Sequence, residues 1–186
     1  PAVHPREPFA SSRQLRVSPF YEREMALGGY FMEVAGGERA YGYAANEINL
    51  LKKYRDRVPV RKAEWDHRHF WEVSNAEHLA LSDGVGMINL SHFAILDVVG
   101  PDAEVLLEYC SVAKVGSDTP IGKGVYTHFL DHAGGIHSDL TIVRLGRDAF
   151  RVICGGDTGH RDFVWMKRMS DRLLLSAVEF RDPTEQ

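Results

Sequence analysis

The chain has 186 residues, 44% of them hydrophobic and 26% charged, with a formal net charge of −4. Those values suit a soluble globular protein long enough for one sizeable core. The mild acidity, without a block of Lys and Arg, gives no reason to expect a nucleic-acid partner, and no apolar run reaches membrane length, so no membrane partner is expected either. The start, Pro1-Ala-Val-His-Pro5, has no signal-peptide pattern. The two cysteines, Cys110 and Cys154, stand far apart and read as buried free thiols of a reducing compartment, which predicts a cytoplasmic protein. Nine histidines are many, but their spacing is poor for metal, and His67 and His69 lack a further ligand set.

Residues 1–17 are polar, with prolines and serines, and read as an arm or linker ahead of one domain over 18–186. Ser18-Pro19 opens a helix that Gly28-Gly29 ends. Tyr30 to Val34 is a short strand, and the Gly- and Tyr-rich stretch 36–46 is a loop. Glu47 to Arg57 reads as a solvated helix. Ser74-Asn-Ala-Glu77 matches a capping box that would start a helix through about Ser82. Val85 to Leu90 and Ala94 to Val99 alternate as strands around Ser91-His92-Phe93. Gly100-Pro101-Asp102 starts a helix through about Cys110.

The densest stretch follows, from Gly122 to Gly146. It reads as two strands joined at a tight Gly134-Gly135 turn. Tyr126 lies on the first strand and Asp139 on the second, ahead of Leu140, Thr141, Ile142 and Val143. A carboxylate entering a run of β-branched and apolar residues costs free energy unless it is paired. Asp139 is therefore either hydrogen-bonded for structure or kept for a ligand. A strand Ala149 to Cys154 and a helix Thr158 to Met169 complete the order strand, helix, three strands, helix. That order predicts an α+β fold, a mostly antiparallel sheet with helices on one face. The apolar stretch Leu173 to Val178 has no predicted partner element, and edge strands with excess apolar surface predict self-association or a partner chain.

Gly86-Met-Ile-Asn-Leu-Ser-His-Phe93, Val98-Val-Gly-Pro-Asp-Ala103, Gly124-Val-Tyr-Thr127 and Gly134-Gly-Ile-His-Ser-Asp-Leu-Thr-Ile142 come in that order, with Tyr126 13 positions before Asp139. Together they resemble the folate-binding aminomethyltransferase family. It includes the T-protein of glycine cleavage, tetrahydrofolate-dependent demethylases, and the tails of dimethylglycine and sarcosine dehydrogenases. Arg16 to Glu24 and Gly36 to Arg39 resemble the dehydrogenase tails more than T-protein. The resemblance runs from about Arg16 to the C-terminus. It implies part of a ring of three subdomains with tetrahydrofolate in its central hole. By the same resemblance Asp139 is the catalytic carboxylate near the reactive folate nitrogens, Tyr126 lines that site, Phe93 is the pterin contact, and Thr141 and Val143 are further wall residues on Asp139's face. Gly155 departs from the family, which often has Asn there. The family's domain runs to roughly twice this length, and its later half supplies acid and arginine groups for pterin and glutamate tail. That implies a fragment, or a subunit whose pocket is completed by a homo-oligomer or a partner chain.

The implied activity is tetrahydrofolate-dependent one-carbon transfer, methyl or methylene, from a small N-, O- or S-methyl donor. The alternative is a non-catalytic folate-fold module that docks onto a flavin-dependent N-methyl dehydrogenase. The chain has no glycine-rich dinucleotide fingerprint, so it is not expected to hold FAD itself. His92 is either a proton shuttle or a satisfied histidine at a bend, and His128, His132 and His137 read as surface residues of the hairpin. Trp65, Trp71, Tyr41 and Tyr43 form either an aromatic wall for the donor or packing of the first third.

Overall fold

A computed structural model of the chain describes residues 13–34, 37–63 and 70–183. The chain divides into two compact units, Pro1–Ser91 and His92–Gln186. Trp65, His67 and His69 lie outside the described residues.

The first unit holds helix α1 (Tyr21–Ala26), strands β1 (Gly29–Val34) and β2 (Gly37–Tyr43), helix α2 (Ala44–Tyr54) and helix α3 (Trp71–Asp83). Within the Gly- and Tyr-rich stretch expected as a loop, residues 37–43 are thus a strand paired antiparallel with β1, which bulges between Tyr30 and Phe31, and residues 44–46 begin α2. Helix α2 is less solvated than its charge suggests. Leu51 and Tyr54 are buried against Val73 and Ala76 of α3. Helix α3 starts at Trp71, so Ser74 is not its cap; the Ser74 amide donates to Phe70 O at 2.8 Å, an ordinary helical bond.

Two carboxylates organise the polar interior of this unit. Glu24, on α1, accepts from Ser18 Oγ (3.1 Å), Tyr43 Oη (3.1 Å) and Asn89 Nδ2 (2.8 Å). Glu38, on β2, accepts from Arg13 Nε and the Gln14 amide, and its own amide donates to Arg16 O at 2.8 Å. Residues 13–16 are therefore bound to β2 rather than a free linker. The stretch Val85 to Leu90 forms no strand. It is held at Asn89, while Val85, Met87, Ile88 and Leu90 stay exposed.

The second unit contains β3 (Ala94–Val99), α4 (Ala103–Cys110), β4 (Gly124–Leu130), β5 (Ile136–Gly146), β6 (Ala149–Cys154), α5 (Gly159–Arg172) and β7 (Glu179–Arg181). Its strands form one antiparallel sheet in the order β4-β5-β6-β3-β7. The expected α+β fold, with an antiparallel sheet and helices on one face, is what the chain adopts. Alternation explains it: Phe150, Val152 and Cys154 are buried while Ala149, Arg151 and Ile153 between them are only half-buried. Leu96, Val98, Phe129, Leu140 and Ile142 share the buried face with Leu106 and Leu107 of α4 and Met166 and Met169 of α5. Each large apolar side chain removed from water there stabilises the unit by about 1.5–3 kcal/mol before entropy is counted.

Two local features depart from the sequence expectation. The hairpin between β4 and β5 is not a two-residue Gly-Gly turn. Asp131 Oδ1 accepts from the amides of Ala133 and Gly135, both at 2.8 Å, and Gly134 takes φ +84° in a loop over 131–135. The apolar stretch after α5 does have a partner. Leu175, Val178 and Phe180 pack on the core, and β7 pairs with β3. Gly100, at φ +120°, lies so close to this returning chain that a Cβ would stand 2.3 Å from Ala177 O.

Candidate functional site

The open face of the five-stranded sheet carries the candidate site. Directly opposed residues of antiparallel strands share a face. Tyr126 opposes Thr141, His128 opposes Asp139, and Gly124 opposes Val143. Thr141 in turn opposes Ile153 of β6, and Ile153 opposes Ile95 of β3. The structure therefore brings Tyr126, Asp139, Thr141 and Val143 onto one surface. Phe93 lies one residue before β3, at 36% exposure, and its ring is 4.9 Å from that of His92. Among the described residues, no hydrogen bond or ring contact joins it to the other four.

Asp139 is not buried, contrary to the sequence expectation. Its neighbours Ser138 and Leu140 point into the core, while Asp139 is exposed. The run of β-branched residues buries one face of β5, not two. The Tyr126 phenol reaches diagonally across the β4–β5 pair and donates to Asp139 Oδ2 at 3.1 Å. This hydrogen bond, with some desolvation, raises the Tyr126 pKa above its ordinary value. Asp139 Oδ1 accepts from none of the described residues. One carboxylate oxygen is therefore anchored by a neutral donor, and the other is available. The Tyr126 ring also meets His128 edge-on at 5.3 Å.

Two charged residues of this face were not singled out by the sequence. Arg151 makes a bidentate pair with Asp97, Nε to Oδ1 at 2.8 Å and Nη2 to Oδ2 at 2.9 Å. Its signal in the sequence is an opposite charge at an outward position on each of two apolar strands. Beneath β5 lies a second cluster that sequence reasoning missed. Asp162 of α5 is fully buried, and its Oδ2 accepts from Ser138 Oγ (2.8 Å) and Thr158 Oγ1 (3.0 Å). The Thr158–Asp162 spacing of four at a helix start was the available clue.

The remaining candidates serve other contacts. Tyr43 Oη donates to Glu24, and Trp71 Nε1 donates to Pro59 O at 2.6 Å, so both are engaged inside the first unit. His132 is exposed, but His137 is half-buried and stacked on Trp165 at 4.3 Å. Its expected surface position is corrected by that stacking. Cys110 and Cys154 are buried free thiols, and burial pushes both up to about 12, so neither is a ready nucleophile. Among the described residues no group of three or more His, Cys, Asp or Glu could hold a metal ion, and no helix is long and apolar enough to cross a membrane.

Comparison with known proteins gives the family and the fold of the chain. 4-Methylaminobutanoate oxidase (formaldehyde-forming) of Paenarthrobacter nicotinovorans is 34% identical over 91% of this chain and 19% of its own length. An aminomethyltransferase of Bordetella avium (strain 197N) is 34% identical over 54% of this chain and 29% of its own. The chain thus spans less than a third of either relative. The crystal structure of glycine cleavage system aminomethyltransferase T from Bartonella henselae superposes with a TM-score of 0.63 at 20% identity, over 90% of this chain and 38% of that one. That likeness shows the fold. The family model of the GCVT N-terminal domain matches residues 20–186, and the chain belongs to that family.

Proposed function

We propose that this chain supplies the carboxylate-bearing wall of a tetrahydrofolate-dependent one-carbon transfer site. The observation that carries the reading is the Tyr126–Asp139 pair on an open sheet face, with one carboxylate oxygen available. Tetrahydrofolate would supply the nucleophilic nitrogens that accept a methyl or methylene carbon. The residues present suit it. Thr141, Val143 and the Tyr126 ring on one face offer apolar contact to a heterocycle, and the available Asp139 oxygen matches its N–H donors.

The protein groups have separate roles in this reading. Tyr126 holds the Asp139 carboxylate in one orientation by donating to Oδ2. Asp139 Oδ1 accepts a proton or a hydrogen bond from the reacting nitrogen and offsets positive charge that develops there. A fixed charge on a strand needs little reorganisation when the reaction occurs, which is where most of such an effect arises. The methyl donor is proposed to be a small N-methyl compound. A relative whose name records formaldehyde as product suggests why a carbon acceptor would be useful beside such chemistry. A non-catalytic folate-fold module is the second reading, favoured by the exposure of Asp139.

Asp139→Asn separates the two. In the assembled protein, assayed with tetrahydrofolate and an N-methyl amino acid, turnover should fall roughly a hundredfold or more, with the melting temperature within a few degrees of the parent. Ultraviolet titration of the same variant should show the Tyr126 phenol ionising at lower pH than in the parent, because its charged neighbour is gone. Near-normal turnover would sink the catalytic role. An unmoved phenol would show that the pair is not formed.

A further inference from the structure

The outer face of α5 carries a charge pattern that the proposed site does not use. Arg161, Arg168 and Arg172 recur at seven and four positions, which places them on one narrow stripe of the helix. Trp165 borders the stripe at its middle, and His132 and His137 flank it from the β4–β5 hairpin. The stripe spans about 16 Å at the helical rise per residue.

These arginines differ from three others of the second unit, while Arg147 meets only its neighbour Asp148 at 3.8 Å, in the turn after β5. Arg151 and Arg181 are paired in bidentate fashion with Asp97 and Glu179, and Arg144 donates to the carbonyls of Ser117, Thr119 and Gly146. By contrast, Arg168 has no carboxylate within ion-pair reach among the described residues. Arg172 Nη1 faces His132 Nε2 at 2.6 Å, not an acid. Arg161 has only the buried Asp162 Oδ1 at 3.5 Å. The helix dipole explains Arg172, in the last turn, but not Arg168, one turn earlier. It does not explain Arg161, which lies in the first turn, where a cation is disfavoured. Below the stripe, Trp165 Nε1 and His137 Nε2 are buried without a hydrogen-bond partner among the described residues, an uncommon condition in a finished surface.

We propose that this face of α5 docks a short acidic segment of a partner protein. Three guanidinium forks with little internal neutralisation, on a chain of net charge −4, form a local surface complementary to carboxylates. Carboxylates one helical turn apart on the partner would meet Arg161, Arg168 and Arg172 in turn, with Trp165 as an apolar platform between them. The shortness of the stripe and the acidity of the rest of the chain suit a brief acidic segment better than an extended nucleic acid, whose phosphates would run beyond it.

The test uses the full chain and a fluorescein-labelled decaglutamate peptide, read by anisotropy. Binding should be present at about 20 mM salt and weaken at least tenfold by about 200 mM. An Arg168→Glu, Arg172→Glu double variant should weaken it at least tenfold, with an unchanged circular dichroism spectrum. The Arg168→Gln, Arg172→Gln pair, which removes charge without reversing it, should give an intermediate loss. A Lys52→Glu, Lys53→Glu variant on α2 should change it less than twofold. Equal losses in the α2 and α5 variants would overturn the proposal, as would equal or tighter binding of an oligothymidylate of matched charge. Salt-sensitive self-association through the stripe, seen by light scattering and abolished in the α5 variant, would assign the face to a second copy instead and would also overturn it.

Discussion

Tyr43 shows how one hydroxyl can make a small unit sensitive to alkali. Burial, the nearby Glu24 carboxylate and their hydrogen bond push its phenol up to about 12 from an ordinary value of 10.0. A group whose pKa is raised on folding stabilises the folded state fully below its unfolded value. That contribution is lost as pH rises through the folded value. Wild type should therefore be more stable than Tyr43→Phe at pH 8, by an amount ordinary for one hydrogen bond, and the gap should narrow between about pH 10 and 12. Urea titrations of both proteins at the two ends of that range check it. A gap that stays constant would mean that the Tyr43–Glu24 bond is not formed. Asp139 and Asp162 make the complementary point about acids. Asp139 leads into an apolar run yet is exposed, whereas Asp162 follows His160 and Arg161 yet is fully buried. Neighbouring residue types do not decide which; the side of the element does.

At the scale of elements, α5 and β5 are joined by Asp162. Replacing it with alanine leaves the Ser138 and Thr158 hydroxyls without their acceptor in a buried place, and should destabilise the second unit by about 2–4 kcal/mol. Denaturant midpoints followed by the Trp165 signal would show this, and a loss below about 0.5 kcal/mol would contradict it. The elements of this unit were mostly legible in the sequence because the sheet buries one face, so β3, β5 and β6 alternate cleanly. The same alternation misled at Val85 to Leu90. Period two states that a strand is possible, but a strand also needs a neighbour, and none pairs with that stretch. Residues 37–43 failed the opposite way. Their glycines and tyrosines look like a loop until β1 is placed beside them. The Ser74 capping box matched by composition inside a helix that had already begun at Trp71. For the site, the order of the motifs was enough to nominate Tyr126, Asp139, Thr141 and Val143, and the strand register explains why they share a face. The diagonal reach of Tyr126 to Asp139, the Asp97–Arg151 pair and the Asp162 cluster depend on cross-strand and helix–sheet placement, which no local window contains.

For the whole molecule, the order of the strands matters as much as their faces. Strands β4, β5 and β6 are consecutive and join through short turns, so they can pair as they leave the ribosome. Of the five strands of the larger sheet, β3 is made first and is placed between β6 and β7. Ala94 finds its partner Cys154 only 60 positions later. Until then the apolar side chains of β3, Leu96 and Val98, have no sheet to join. Closing so long a loop is the costly event, since its entropy is lost before any contact offsets it. Pulse-labelled hydrogen exchange during refolding should protect amides of β4 to β6 ahead of those of β3 and β7, and simultaneous protection across all five strands would refute that order. Strand β7, the last of the five to be made, thus completes the sheet, and one edge of β3 stays without its neighbour until residues 179–181 have emerged.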